Sequence, residues 1–152
     1  MQNKDNFHLW LISGICGTIA KDVYSLIAEV SKFSHYLIWN IAADIFLDSK
    51  AAINSGWGYI LGACADLLIG SLLGIAICII LNRSFRNGLL KAVLVTLTAW
   101  LTFFGAFMHV FPQVFISRPT DPASYVSSFI AHCLHAVVVY TVYLKLSKAK
   151  IN

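Results

Sequence analysis

Four apolar segments, each long enough to cross a lipid bilayer, constrain the fold of this chain more than any other feature. They cover about residues 7–30, 55–81, 88–111 and 122–146, and a spanning helix needs about 20 mainly apolar residues. A bilayer offers the backbone no hydrogen-bond partners, so apolar segments of this length cross it as α-helices. The sequence therefore predicts an all-α polytopic membrane protein, a bundle of four transmembrane helices.

The composition fits a surface that is covered largely by lipid. The 152 residues are 59% hydrophobic and 12% charged, whereas soluble domains carry about 25% charged residues. The length suits one domain, and no low-complexity stretch or long linker divides residues 1–152. We predict a single integral membrane domain whose main partner is the lipid bilayer.

The formal net charge of +4 does not indicate a nucleic-acid partner, because the basic residues lie at the ends of the apolar segments. Membrane topology explains that placement. With both termini inside, the cytoplasmic side holds Lys4, Arg83, Arg86, Lys91, Lys145, Lys148 and Lys150, and the other side holds Lys32, Lys50 and Arg118. This bias predicts an N-in, C-in topology, without nucleic-acid binding.

Between the first two spans, residues 36–47 form an apolar run that is too short to cross the membrane. Asn40 and Asp44 are four residues apart and share one helix face, with Trp39 and several isoleucines around the rest. That pattern is typical of a helix that lies at the membrane interface or caps a bundle. We predict one short interfacial helix here.

A stripe of small residues runs along the second span. Gly58, Gly62, Gly70 and Gly74 lie on one helix face, with Asp66 at the centre of the row. Membrane helices pack closely through such faces. We therefore predict that the glycines pack against neighbouring helices and that Asp66 faces those helices too.

The other spans carry rows of small or polar residues that we expect to face this stripe. The row in the third span is Thr98, Thr102, Gly105 and His109.

Three ionisable residues on three spans fall at one predicted depth. At 1.5 Å per residue from the outer end of each span, Lys21 lies about 14 Å deep, His132 about 15 Å and Asp66 about 16 Å. A charge at the bilayer centre costs about 2.5–3.5 kcal/mol, and pairing unlike charges lowers that cost. We predict an intramembrane polar site in which Lys21 and Asp66 form an ion pair and His132 is the titrating neighbour.

Asp22, His109 and His135 are candidate accessory residues of this site. Asp22 lies about 100° around the helix from Lys21, and His135 lies about one turn after His132. His109 stands near the outer end of the third span. We leave the role of Asp22 open.

The sequence gives little support to an enzyme or a cofactor protein. The four cysteines are isolated in apolar stretches, without a Cys/His cluster of zinc spacing or a metal-hydrolase motif. Haem ligands must oppose each other from different helices, whereas His132 and His135 share a helix and His109 lies about 11 Å shallower than His132. We expect no enzyme activity, no metal and no cofactor.

Short motifs along the chain resemble one known family. The first span has two glycines before a deep lysine (Gly14, Gly17 and Lys21), and residues 83–91 form a basic turn. The third span ends in a His-x-x-Pro sequence (His109 and Pro112), and the fourth contains an Ala-His pair (Ala131 and His132). Together with the small-residue second span they resemble the YagU-like family of small bacterial inner-membrane proteins, over about residues 10–146. The resemblance implies the four-span fold, a location in the bacterial cytoplasmic (inner) membrane and a link to acid resistance. That family carries a histidine about where this chain has Asp66.

Two functional hypotheses follow from the polar layer. The first is a small membrane protein with proton-linked transport or an acid or pH response through Lys21, Asp66 and His132. The alternative is a structural or accessory membrane subunit in which the layer only fixes helix packing. Because 152 residues give few walls for a solute pathway, transport would need a homo-oligomer or a membrane-protein partner.

Overall fold

The computed structural model describes residues 6–149, and within that range the chain is helical and has no strand. The helices are α1 (Phe7–Val30), α2 (Ile38–Ala43), α3 (Lys50–Ile53), α4 (Gly56–Arg83), α5 (Gly88–Val110) and α6 (Pro122–Ala149). Four of them, α1, α4, α5 and α6, are long and apolar enough to cross a membrane. The predicted all-α, four-span fold is confirmed.

The two ends of the bundle carry different connections. One end, called the loop end here, holds the segments 31–55 and 111–121. The opposite end, called the terminal end, holds the short turn 84–87, the start of α1 and the end of α6. Lys4 and Lys150, which the predicted topology places on the cytoplasmic side, lie outside the described residues.

Helix α1 packs closely against both α4 and α6. A Cβ atom at Gly14 would lie 2.6 Å from the backbone oxygen of Ser71, and one at Gly74 would overlap the backbone of Gly14. On the other side of α1, Gly17 packs against His135 of α6. Such close backbone approach provides the van der Waals contact that holds membrane helices together. This contact of α1 with α4 and α6 is called the seam.

The glycine stripe of α4 meets two kinds of partner. Gly70 and Gly74 pack against α1 in the seam, whereas Gly58 packs against the carbonyl oxygens of α3 and Gly62 against the carbonyl oxygen of Trp39 in α2. All four glycines are buried. The stripe therefore seats the short loop-end helices on α4 as well as a membrane-spanning neighbour.

Helix α2 is the observed form of the short helix expected at residues 36–47. Ile41 and Ala43 are buried, and α2 packs mainly on α4. The next residue, Asp44, accepts hydrogen bonds from the backbone nitrogen and the hydroxyl of Ser117, at 2.8 and 2.9 Å. These bonds join α2 to the loop before α6, so α2 caps the bundle.

Helix α5 contains a π-helical segment, Leu101–Phe107, between two α-helical parts. The hydroxyls of Thr98 and Thr102 donate to carbonyl oxygens four residues earlier, at 2.9 and 2.8 Å. Side-chain bonds of this kind compete with the hydrogen bonds of the helix itself. Gly105, inside the π-helical segment, has no neighbour that a side chain there would meet.

The row of small and polar residues in α5 does not face the bundle, which corrects the expectation from the sequence. Thr98, Thr102, Gly105 and His109 are exposed. The buried side of α5 is instead formed by Gly88, Ala92, Thr96, Phe104 and Met108. Phe104 packs against Tyr125 and His132 of α6, and these ring contacts turn that side of α5 towards the bundle.

Candidate functional site

Lys21 holds two carboxylates inside the seam. Its Nζ atom donates to Asp66 Oδ2 at 2.5 Å and to Asp22 Oδ1 at 2.8 Å. Lys21 is 3% exposed and Asp66 is 8% exposed. These three residues are called the triad. The predicted pairing of Lys21 with Asp66 is present, and it joins α1 to α4.

Helix periodicity places the two partners of this pair. Lys21 continues a buried row of α1 that includes Ser13 and Gly17, four residues apart. Asp66 lies midway between Gly62 and Gly70 on the packed side of α4. Because glycines bring the two backbones together at this level, the lysine side chain reaches the carboxylate directly.

Asp22 is also part of the site, although it follows Lys21 directly on the helix. The long side chain of Lys21 bends far enough to contact Asp22 while its ammonium still binds Asp66. The carboxylates of Asp22 and Asp66 therefore bind the same ammonium from two helices. The structure therefore shows where Asp22 lies, which the sequence left open: it is the second carboxylate that binds the Lys21 ammonium.

The charges of the triad do not balance when all three groups are ionised. One ammonium and two carboxylates leave one negative charge, and an uncompensated charge within a bilayer is costly. A protonated carboxyl group carries no charge and can donate a hydrogen bond. The triad can therefore bind one proton or one other cation and become neutral.

His132 lies beside the triad with one ring nitrogen fixed. Its Nδ1 atom is 2.8 Å from the carbonyl oxygen of Ser128, and a carbonyl only accepts, so Nδ1 carries the hydrogen. The ring packs edge to face on Phe104, with centroids 5.7 Å apart. Within residues 6–149, Nε2 has no hydrogen-bond partner. This nitrogen is available to a proton or a ligand.

The two accessory histidines have different surroundings. His135 is 1% exposed, and its Nε2 atom donates to the carbonyl oxygen of Gly70 at 3.1 Å, which ties α6 to α4. Its Nδ1 atom is buried without a partner among the described residues. His109 is exposed in the last turn of α5. The structure thus brings His135 into the seam and leaves His109 outside the site.

A cavity of about 350 Å³ connects Asp66 with His132. It lies between α2, α4, α5 and α6, and its lining is mostly apolar. Ile69 of α4 and Phe107 of α5 line it and are 49% and 47% exposed, so the cavity reaches the outer surface of the bundle between these helices. In a membrane that surface faces lipid. This opening is called the cleft.

Sequence reasoning missed the aromatic wall of the cleft. Thr102, Phe103, Phe104 and Phe107 line it, and all four belong to the π-helical segment of α5. The signal available was the cluster of phenylalanines around Gly105. A spacing of 3.6 residues could not assign their directions, because a π-helical segment advances with a different number of residues per turn.

The described part of the chain, residues 6–149, contains no group of three or more His, Cys, Asp or Glu side chains placed to hold a metal ion. Asp22, Asp66 and His132 surround an ammonium and a cavity instead. The arrangement offers proton or cation binding and hydrogen bonding.

Comparison with protein-family models, with curated proteins and with solved structures found no match. The class of the protein follows from the fold: a multi-pass α-helical membrane protein with four spanning helices. Its site consists of a buried ion triad beside a lipid-facing cavity.

Proposed function

We propose that this chain is a non-enzymatic protein of the bacterial cytoplasmic membrane that binds a proton at the triad and couples it to transport or to a pH response. One observation carries this proposal: a single buried ammonium is shared by two carboxylates next to a cavity. The triad is neutral when it holds one proton, and it gains a negative charge when that proton leaves. A charge at the centre of a bilayer costs about 2.5–3.5 kcal/mol, which is enough to change the balance between two conformations of a small protein.

The cleft joins the triad to a second group that can hold a proton. Asp66 and His132 both line it, and the free Nε2 atom of His132 can accept and release a proton. His135 lies on the seam side and is held by Gly70. Helices α2 and α5 contribute no titratable residue to the lining of the cavity, so the triad and His132 carry the proton chemistry.

The distribution of basic residues supports an orientation with the terminal end in the cytoplasm. Within residues 6–149, five lysines and arginines lie at or near that end and three lie at the loop end: Arg83, Arg86, Lys91, Lys145 and Lys148 against Lys32, Lys50 and Arg118. Cytoplasmic segments carry an excess of such residues. This supports the N-in, C-in topology.

Transport would require more walls than four helices supply. Helix α5 exposes a broad apolar surface, with Leu94, Leu101 and Val110 between 55% and 65% exposed. Such a surface suits lipid, a second copy of the chain or another membrane protein. A homo-oligomer or a membrane partner is therefore part of the transport proposal, whereas a pH response needs neither. The resemblance to the YagU-like family adds acid resistance as the proposed physiological setting.

Infrared difference spectroscopy of the purified protein tests the proton site, because a protonated carboxyl group has a carbonyl band that an ionised one lacks. We expect a band that titrates with pH and disappears in both Asp22→Asn and Asp66→Asn. Asp44→Asn is the matched control, since Asp44 is buried but bound to Ser117 outside the triad. A spectrum without any band assignable to Asp22 or Asp66 at any pH would refute proton binding.

A structural or accessory subunit remains the second candidate, and the close packing of the seam favours it. The triad lies where Gly17 and Gly70 bring three helices together, so the ion pair could serve only to set helix register. The triple variant Lys21→Met, Asp22→Asn and Asp66→Asn removes every charge at similar side-chain size. If assembly and acid survival are lost together, the structural role is favoured, whereas normal assembly with lost acid survival supports the proton site.

A further inference from the structure

The cleft combines features that together suit one kind of ligand. Its volume of about 350 Å³ lies within the usual range of small-molecule sites, about 300–1,000 Å³. Most of its lining is apolar, whereas Asp66 brings a carboxylate and His132 brings an imidazole with a free nitrogen. A ligand that enters from the bilayer must be lipophilic and must match one acidic group.

The charge and the rings of the cleft define the polar part of that ligand. Phe103, Phe104 and Phe107 line the same space as Asp66, and aromatic faces attract cations with low hydration. Lys21 does not line the cavity, so the cation of the triad is not the charge that a ligand meets first. The cleft therefore presents an acidic and aromatic interior.

We propose that the cleft binds a lipophilic organic cation, such as an aromatic amine or an onium compound, in exchange for the proton of the triad. The inference rests on the proposed function, since it uses the same excess of one carboxylate over the ammonium. Either a proton or the ligand neutralises this charge. The proton passes from the carboxyl group of Asp22 or Asp66 to water as the cation enters, and no covalent bond within the ligand changes.

Exchange makes ligand affinity depend on pH. Because the proton and the cation compete for one negative charge, each weakens the binding of the other by the same factor. We expect the affinity for the cation to fall as the pH falls, by up to about tenfold per pH unit where the triad is protonated. His132 faces the cation across the cleft, and protonation of its Nε2 atom would act in the same direction.

A pair of probes of equal shape and opposite charge tests the proposal. Tetraphenylphosphonium and tetraphenylborate are both bulky and lipophilic, and equilibrium dialysis with the purified protein in detergent measures their binding. We expect saturable binding of tetraphenylphosphonium only, with about one proton released per cation in weakly buffered solution. Equal binding of both ions, or cation binding without proton release, would overturn the proposal.

Two variants of α5 separate the cleft from the triad. Ala99 lines the cavity and is partly exposed, so Ala99→Phe narrows the cleft while Lys21, Asp22 and Asp66 are all retained. Ala106→Phe makes the same change at an exposed position outside the lining. We expect Ala99→Phe and Asp66→Asn to weaken tetraphenylphosphonium binding by about tenfold or more, and Ala106→Phe by less than about twofold.

The infrared experiment keeps the two proposals apart. Ala99→Phe should retain the carboxyl band of the triad while it loses the ligand. If the band is present in the wild type and tetraphenylphosphonium does not bind, the ligand class is wrong and proton binding stands. If Ala99→Phe binds the cation as the wild type does, the cleft is not the site.

Discussion

Helix α4 has a closely packed side and a loosely packed side, and Asp66 reaches both. Towards α1 its backbone touches that of the neighbouring helix at Gly74 and Gly14. Towards α5 a cavity of about 350 Å³ lies between the two helices at the level of Asp66. In the apolar membrane-spanning part of α4, 44% of the residues are buried, whereas in that of α5 the share is 17%. Asp66 therefore lies at the border between the seam and the cleft.

This difference shows how one small bundle can hold a charge and still leave it reachable. The seam fixes the ammonium of Lys21 between two carboxylates, where close backbones leave no room for lipid. The cleft leaves part of the same acidic group open to a ligand or a proton. The close packing and the ion pair both lie in the seam. Substitutions there should therefore lower the free energy of unfolding most, and substitutions in α5 least.

The largest effect is expected from Lys21→Met. It removes the ammonium and leaves two carboxylates in a buried contact, and removal of one partner from a buried ion pair costs about 3–5 kcal/mol. Denaturant unfolding in mixed micelles measures the change. Lys50→Met, at an exposed lysine of the loop end, is the control and should change stability by less than about 0.5 kcal/mol. Similar values for the two variants would mean that the triad does not hold the seam.

Gly74→Ala should give the next largest effect. The added Cβ would overlap the Gly14 backbone, which cannot move without separating α1 from α4, and overpacking of this kind costs about 1–3 kcal/mol. Gly105→Ala is the matched change in α5, where nothing lies within contact distance. This change should be neutral or should stabilise by up to about 1 kcal/mol, because alanine favours a helix more than glycine does. Equal effects in the same unfolding assay would remove the distinction between the two sides.

Trp100→Phe should have a smaller effect, because it removes one hydrogen bond between α5 and α6. The indole Nε1 atom donates to the hydroxyl of Ser128 at 3.0 Å, and such a bond contributes about 1 kcal/mol. Trp57→Phe is the control, at a position that is 80% exposed, and should be near neutral. If Trp100→Phe is also neutral, the contact of α5 with α6 does not depend on this bond.

The smallest effect concerns pH at the start of α6, a helix common to seam and cleft. Asp121 accepts a hydrogen bond from the backbone nitrogen of Ser124 at 2.8 Å, and the bonds from Ser124 hold the pKa of the Asp121 carboxyl below its ordinary value. The ionised Asp121 carboxyl therefore stabilises the folded state at pH values above its pKa in the unfolded chain. This stabilisation is lost as the pH falls through its lower pKa in the folded state.

Stability profiles of the wild type and of Asp121→Asn against pH measure this contribution, and the variant should lack part of the acid-side loss. Asp44 provides the opposite sign, because burial raises the pKa of its carboxyl. Its folded form binds a proton more readily than the unfolded chain, so its contribution improves as pH falls. An Asp44→Asn variant with the same change as Asp121→Asn would contradict this assignment.

The sequence was most informative where one physical rule dominated. Apolar length defined the four spans, and the glycine spacing of α4 placed Asp66 on the side that meets Lys21. Both depend on positions along a regular helix. The contact of Lys21 with Asp22 depends on how a flexible side chain bends, which residue spacing does not reveal.

The cleft could not be predicted, for a different reason. It arises because the π-helical segment of α5 has its own residues per turn and because large side chains such as Phe104 face α6. Gly105 therefore lies on the exposed side of the helix, with no neighbour in contact distance, against the rule that small faces pack inward. Which of two faces of a membrane helix is buried depends on its neighbours, and a single helix does not contain that information.

The adjacency of Lys21 and Asp22 has a consequence for biosynthesis. Asp66 follows Lys21 by 45 residues, and a ribosome adds about 5–20 residues per second, so the first span exists for seconds before its long-range partner. During that interval Asp22 is a counter-ion within the same helix turn. It lowers the cost of placing an ammonium in the lipid phase, and the arrival of α4 then converts this local pair into the link between helices.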